Sequence, residues 1–404
     1  MQLPTSRLSG PARRLLAVQT LFQLAVSLAG VFVNIFLWQT SALRAVTIYN
    51  IYFFVTLPVF FAVAGVLVKA QRRSWGFTLG AVLYSAFYSL LLAWGAAAAH
   101  HLAFLGILAG MAAGFSWINL HTLAFDLIPR EQRDYYYGLN GSLNTVATLL
   151  GPLVAGYIIY RLGNPAGYRV VFGFAVVVFL TEAVLSLGLA SAGGGHRLDW
   201  KVVFSRRVVP GWPRTLAAHL VVGSRDGVLM VLTPILIYSI GGNALAFGRL
   251  NSLFALLMSV AYFLAGRLIR LDNRRPFFVL GAWGSFLAPV ALSLLAGVPG
   301  IVVFNVLNSI FPVFWNVPYS SQYFDIVQMA PHSADRRVEF ILVREICLNL
   351  GRVTSAGAFL LAGSSLSGPG LRLLLPLAIA PMLLLPRLMA PAARSASPAE
   401  ATAA

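Results

Sequence analysis

GVLVKAQRRSWGFTLGA occupies residues 65–81. It reads as the end of one apolar helix, a short basic turn at Lys69, Arg72 and Arg73, and the start of the next apolar helix. The same pattern returns as GRLIRLDNRRPFFVLGA at 266–282, an offset near 201. FDLIP at 125–129 is likewise matched by FDIVQ at 324–328, an offset of 199. Two repeated features at one spacing divide the 404-residue chain into two halves of similar plan.

Composition fixes the solvent of that plan. The chain is 59% hydrophobic and 10% charged, against about 25% charged in a soluble domain. Apolar runs recur along its whole length, which identifies a polytopic membrane protein. Helices of about 20 residues span the hydrocarbon core. Twelve segments of that kind are expected, at 14–38, 43–68, 75–97, 101–125, 135–161, 167–192, 214–240, 244–268, 275–296, 299–325, 337–363 and 370–389. The basic start MQLPTSRLSGPARRLL resembles a signal peptide, but the apolar run after it is long and reads as a retained first membrane helix. The expected fold class is all-α, with twelve transmembrane helices in two pseudo-symmetric six-helix bundles. The expected boundaries are 1–192 for the first bundle, 193–213 for a central loop, 214–390 for the second bundle and 391–404 for a disordered tail.

The formal charge of +17 is a topology signal. Of the 29 Lys and Arg, 21 fall at one side of the twelve-segment plan and five at the other; Arg225, Arg344 and Arg352 lie inside segments. The positive-inside rule then places both termini and the central loop in the cytoplasm of a bacterial-type inner membrane. Nucleic acid is not an expected partner. The single Cys347 excludes an intramolecular disulfide.

The six-plus-six plan and the basic loops after helices 2 and 8 resemble the major facilitator superfamily. So does GLNGSLNTVATLLGPLVAG at 138–156 in helix 5, where Gly138, Gly151, Pro152 and Gly156 follow the family's antiporter pattern. Ala147 and Ala155 replace two of its glycines. The loop motif departs further. Val68 stands where an Asp is usual, Gln71 replaces a glycine, and Asp272 is displaced in the second copy. In helix 4, Gly106 stands where drug–proton antiporters of the family carry a buried arginine. The resemblance implies alternating access between the two bundles, with the solute held near the midplane.

Helical spacing locates the polar faces. Helix 1 carries Gln19, Gln23, Ser27, Gly30, Asn34 and Trp38 on one stripe. Helix 4 offers Asn119, Thr122 and Asp126; helix 5 offers Asn140, Asn144 and Thr148. Helix 10 presents Asn305, Asn308, Trp315, Tyr319 and Tyr323, and helix 11 presents Glu345, Asn349 and Arg352 beside Arg344. Polar stripes in lipid turn toward protein or water. Helices 1, 4, 5, 7, 10 and 11 are therefore expected to line a cavity, with helix 12 toward lipid. The expected solute contacts are Gln23, Asn34, Asn119, Asn144, Asn308, Trp315, Tyr319 and Asn349. Trp38, Trp117 and Trp283 are further candidates for stacking on an organic ligand.

VVGSRDGVLMV at 221–231 puts Arg225 and Asp226 near the midplane, about 17 Å from the start of helix 7 at ~1.5 Å per residue. Adjacent helical residues point about 100° apart, so the two are expected not to satisfy each other. Partners on helix 11 are expected instead: Glu345 for Arg225, and Arg344 or Arg352 for Asp226. The cluster reads either as a permanent ion-pair knot or as a proton-coupling site, with Asp226 and Glu345 as the carriers and Glu182 as a weaker candidate. At the cytoplasmic ends, Asp126 and Asp325 are expected to form a gate with Arg72, Arg73, Arg133, Arg274, Arg275 and Arg336.

No zinc spacing, phosphate loop or nucleophile elbow occurs, and His100–His101 reads as an interface pair. No enzyme activity, cofactor or metal is expected. The expected function is a monomeric, alternating-access secondary transporter that exports a small organic solute by proton antiport. Import by symport, and a non-transporting membrane assembly partner of the same fold, are the alternatives.

Overall fold

A computed structural model describes residues 8–69, 73–128, 132–189, 198–205, 208–270, 272–295, 297–330, 332, 335–362 and 369–389. Helices make up the structure; among the described residues there is no strand. The first six are α1 (Gly10–Ser41), α2 (Leu43–Lys69), α3 (Arg73–Trp94), α4 (Leu102–Leu127), α5 (Arg133–Leu162) and α6 (Ala166–Leu187). The second six are α7 (Trp212–Gly241), α8 (Ala244–Leu268), α9 (Arg274–Leu294), α10 (Gly297–Gln328), α11 (Arg337–Leu361) and α12 (Pro369–Ile379, then Ala380–Leu384 and Leu385–Leu388). A short helix, Trp200–Phe204, lies in the loop between the halves.

Helices α1 to α10 are each long and apolar enough to cross a membrane. The last two differ for separate reasons. Arg337, Glu339, Arg344, Glu345 and Arg352 leave α11 without a long uncharged stretch. In α12 a tight turn at Ala380–Leu384 interrupts the helix, where Pro381 follows Pro376. It keeps a lipid-type face, with Leu373 and Leu377 exposed, and buries Leu375, Ile379, Met382 and Leu385 against α9 and α7.

Packing partners repeat at an offset of six helices. α2 packs on α4 as α8 packs on α10; α3 packs on α4 and α6 as α9 packs on α10 and α12; α1 packs on α5 as α7 packs on α11. The contacts between halves obey the same rule: α2 meets α11 as α8 meets α5, and α1 meets α7. Two pseudo-symmetric six-helix bundles result.

Small residues make the close crossings. Gly106, Gly110 and Gly114 recur every fourth residue on α4, and a Cβ on any of them would come within 2.5–2.8 Å of the α2 backbone. Gly106 therefore packs where a large side chain has no room. On α5, a Cβ at Gly151 would meet Ser27 of α1 at 2.9 Å. Gly156 lies against the Ala244 carbonyl and the Pro152 carbonyl against Gly248, forming the α5–α8 seam between bundles. α1 widens to a π-helical stretch at Val26–Gly30, the place where Gly151 presses on it.

Candidate functional site

The site begins with glycines that flank the charges on α7. A Cβ on Gly223 would collide with the Leu348 carbonyl, and one on Gly227 with the Arg352 carbonyl. From the α11 side, Gly351 lies as tightly against Leu220. This crossing brings the α7 charges against α11. Arg225 Nη1 contacts Asp226 Oδ1 at 2.9 Å, and Arg352 reaches Asp226 Oδ2 at 3.9 Å and Glu345 Oε2 at 4.0 Å. Arg225 also donates to Asn308 Oδ1 of α10 at 2.5 Å and lies 5.7 Å from the Trp315 ring. Arg352 donates to Asn349 Oδ1 at 3.2 Å and lies 5.9 Å from the ring of Phe54 on α2.

The Arg225–Asp226 pair corrects the expectation that neighbours on a helix would not pair. Their Cβ atoms do diverge, but the four-atom stem of arginine carries its guanidinium back around the helix. Of the expected cross-helix pairs, Asp226–Arg352 is present. Glu345 meets Arg352 rather than Arg225. Arg344 has no carboxylate partner among the described residues and lies 5.6 Å from the Tyr323 ring.

Two cavities flank this array. The first, about 460 Å³, is lined by Asn34, Asn50, Arg225, Asp226, Asn251 and Asn308, with aromatic walls from Tyr49, Tyr84 and Tyr88. The second, about 360 Å³, takes its polar lining from Gln19, Gln23, Asn140, Asn144, Arg337 and Arg344, with Phe22, Trp117, Tyr137 and Phe324 around them. Helices 1, 4, 5, 7, 10 and 11 all contribute, as their spacing suggested. Helices 2, 3 and 8 contribute too. Sequence reasoning missed Tyr49, Asn50 and Asn251, because each stands within an apolar run with no polar stripe to mark it.

Gln23, Asn34, Asn144 and Asn308 thus line a cavity, whereas Asn119, Trp315, Tyr319 and Asn349 are used in packing. Asn119 is buried against α3 beside Gly76 and donates to the Phe115 carbonyl. Trp315 Nε1 donates to Ser285 Oγ of α9 at 3.0 Å. The Tyr319 hydroxyl is hydrogen-bonded to His219 Nδ1. Asn349 is buried and donates to the Glu345 carbonyl at 2.8 Å. Trp38 stacks edge-on with Tyr238, Trp283 is exposed on α9, and Glu182 is fully buried in α6 with neither oxygen hydrogen-bonded.

This geometry sits in a chain whose residues 15–356 match the model of the Major Facilitator Superfamily. The chain belongs to the Major Facilitator Superfamily. It is 31% identical over 349 residues to the uncharacterized protein YqgE of Bacillus subtilis (strain 168), covering 86% of this chain and 81% of that one. A Geobacillus stearothermophilus protein encoded in the sodM 3′ region is 38% identical over 159 residues, covering 39% of this chain and 74% of that one. Among solved structures, a mutant of the nucleoside transporter NupG superposes with a TM-score of 0.72 at 7% identity, covering 94% of this chain and 99% of that one. A bacterial homologue of the lysosomal transporter Spinster gives 0.65 at 15% identity, covering 94% and 95%. Membership of this superfamily makes the chain a multi-pass membrane transporter and not an enzyme.

Polar side chains also join the bundles at their two ends. At the end where α2 finishes and α11 begins, Lys69 Nζ meets Glu339 Oε1 at 3.1 Å and also donates to the Asp335 carbonyl. Glu339 accepts the Asp199 N–H at 3.0 Å, and Asp199 pairs with Arg336 at 3.2 Å. The short loop helix is thereby tied to α11. At the opposite end, Gln39 Nε2 donates to the Tyr238 hydroxyl at 2.7 Å, and Gln39 Oε1 accepts from Tyr168 at 2.9 Å. Asn34 donates to the Met230 carbonyl nearby at 3.1 Å.

The expected gate is distributed differently. Asp325 pairs with Arg274 at 2.8 Å, within the second bundle. Arg336 takes Asp199 as its partner, and Arg275 is exposed. Arg72 and the side chains of Asp126, Arg73 and Arg133 lie outside the described residues. The Lys69–Glu339 pair was not foreseen, because its members are 270 positions apart in sequence and only Lys69 stood out as the first cation after helix 2.

Proposed function

We propose that this chain is a proton-coupled secondary transporter that moves a small organic solute across a bacterial-type cytoplasmic membrane. It works as a monomer, with both termini in the cytoplasm, by rocking its two bundles about the α5–α8 seam. The observation that carries this reading is Asp226, held by Arg225 at 2.9 Å and Arg352 at 3.9 Å while it faces the first cavity. A carboxylate shared between two cations and an aqueous cavity has two kinds of partner to exchange, and the exchange takes up and releases a proton. Glu345, on the far side of Arg352, is the second carrier. Gly106 packs against the Tyr49 carbonyl, so a relay through an arginine at that place has no counterpart and coupling falls to α7 and α11.

The Gly-Pro pattern of α5 favours export by antiport. One observation favours symport as a second reading. Arg225, Arg344 and Arg352 outnumber Asp226 and Glu345 by one, so a proton and an anionic solute bound at this cluster attract each other and tend to move together. Proteoliposomes with a trapped pH dye distinguish the two, since antiport drives protons out as solute enters and symport carries them in. Unchanged coupling in both Asp226→Asn and Glu345→Gln would overturn proton carriage by this cluster.

A further inference from the structure

Charge balance inside the second bundle is incomplete. Asp226 is shared by Arg225 and Arg352, and Glu345 also contacts Arg352. Arg344 is left over. It meets no carboxylate among the described residues, and its Nε is buried without a hydrogen-bond partner. Its guanidinium borders the second cavity, whose described lining contains Arg337 and no Asp or Glu. The other buried carboxylates are committed or remote. Glu339 is held by Lys69, and Glu182 is buried in α6 and lines neither cavity.

An arginine cannot discharge itself by losing a proton. Arg344 is half-buried with its Nε enclosed; a guanidinium partly withdrawn from water without a counter-charge is unfavourable, and an anion in the cavity relieves the deficit. We propose that the second cavity binds a small organic carboxylate, a monoanion whose carboxyl group pairs with Arg344. This rests on the solute-transport reading above and names the class of solute. The planar fork of arginine matches a carboxylate with two parallel hydrogen bonds. Arg337, on the same wall, has a contact of its own, so a single negative charge matches the one cation by which Arg225, Arg344 and Arg352 outnumber Asp226 and Glu345, whereas a phosphate monoester, at about −1.5 to −2, overshoots it. Phe22, Trp117 and Phe324 offer apolar surface to the body of the molecule. Asn140 and Asn144 line the same cavity, and the Oδ1 of each is buried without a hydrogen-bond partner, so a turn of either amide offers an acceptor to a hydroxyl or amide N–H on that body.

The test uses the purified full chain in detergent, read by thermal shift and by quenching of tryptophan fluorescence. The probes are matched acid–amide pairs: benzoate with benzamide, 4-hydroxybenzoate with 4-hydroxybenzamide, and N-acetylglycine with its amide. Phenyl phosphate and inorganic phosphate serve as dianion probes. At least one acid is expected to raise Tm where its amide does not, with the hydroxylated acid ahead of benzoate. Arg344→Gln is expected to weaken that binding at least tenfold, and Arg344→Lys to weaken it less. The proposal is overturned if no acid binds, if an amide binds as tightly as its acid, if only the phosphates bind, or if Arg344→Gln binds unchanged. Should Arg344→Gln fail to fold, the acid–amide comparison on the native chain and the Arg344→Lys variant still decide. Flux in liposomes separates the two levels. Proton-coupled movement of a neutral or cationic solute, with no acid bound, overturns this inference and leaves the transporter standing. Acid binding that depends on Arg344, with no flux of that acid, supports the site and overturns transport.

Discussion

The two ends of the molecule close by opposite chemistry. Where α2 meets α11 the contact is a buried ion pair, with the Lys69 and Glu339 side chains 9% and 1% exposed. Where α1 meets α7 the contact is a set of neutral hydrogen bonds and rings, Gln39 on Tyr238 and Trp38 edge-on to Tyr238 at 5.9 Å. A buried ion pair is stable only while complete, since separating it strands two charges in a medium that does not solvate them. That end opens only when water reaches both partners. Amides and rings lose one weak contact at a time and find others nearby, so the opposite end opens by degrees. Under the rocking motion proposed above, the first end would act as an abrupt gate and the second as a gradual one.

The largest effect is expected from removing one member of the buried pair. Lys69→Gln leaves Glu339 with the Asp199 N–H and no cation, and Glu339 Oε2 already lacks a partner. Loss of one partner from a buried pair costs about 3–5 kcal/mol. The expected result is a large rise in hydrogen exchange, read by mass spectrometry, in the segments around 65–69 and 338–343, with the 31–41 segment unchanged. Replacing both members with methionine removes the stranded charge and is expected to recover most of the protection. Equal exchange in Lys69→Gln and the native chain would show that the ion pair does not hold this end closed.

Much of the architecture was legible in the residues because membranes impose a narrow grammar. Twenty-residue apolar runs, basic turns at 65–81 and 266–282, and a one-sided distribution of arginines leave little freedom in helix count or halving. The site was legible only in part. A polar stripe marks a face that avoids lipid without saying what the face meets. Asn34 and Asn308 meet a cavity, whereas Trp315 meets Ser285 and Asn349 meets its own helix. Angular reasoning about Arg225 and Asp226 treated side chains as rigid spokes, and the flexible arginine stem defeats it. The cause of the α7–α11 approach was present as glycines four residues apart, Gly223 and Gly227, on either side of the charges that drew attention. Long-range partners such as Lys69 and Glu339 leave no local signature at all.

A smaller effect is expected at the gradual end. Tyr238→Phe deletes the hydroxyl that accepts from Gln39 but keeps the ring against Trp38 and the Tyr168 bond to Gln39 Oε1. One net hydrogen bond is worth about 1 kcal/mol. Exchange in the 31–41 segment is expected to rise several-fold, with none at the Lys69 end. A rise as large as that of Lys69→Gln would show that both ends close by one cooperative unit.

The smallest effect is expected at Arg274, and its size bears on which residues form the gate at the abrupt end. Arg274 and Asp325 approach to 2.8 Å, yet Asp325 is 57% exposed and both belong to the second bundle. A pair that does not bridge the bundles moves with them when they rock, so its energy is the same in open and closed states and cancels from the equilibrium between them. Exposed pairs are also screened, and typically contribute about 0.2–1 kcal/mol. Arg274→Gln is therefore expected to shift Tm slightly, in a manner that fades as salt is raised, and to leave exchange at both ends unchanged. If it instead opened the Lys69 end, the loop arginines would have to act across the bundles in a second state, with Lys69 and Glu339 only one part of a wider charged gate.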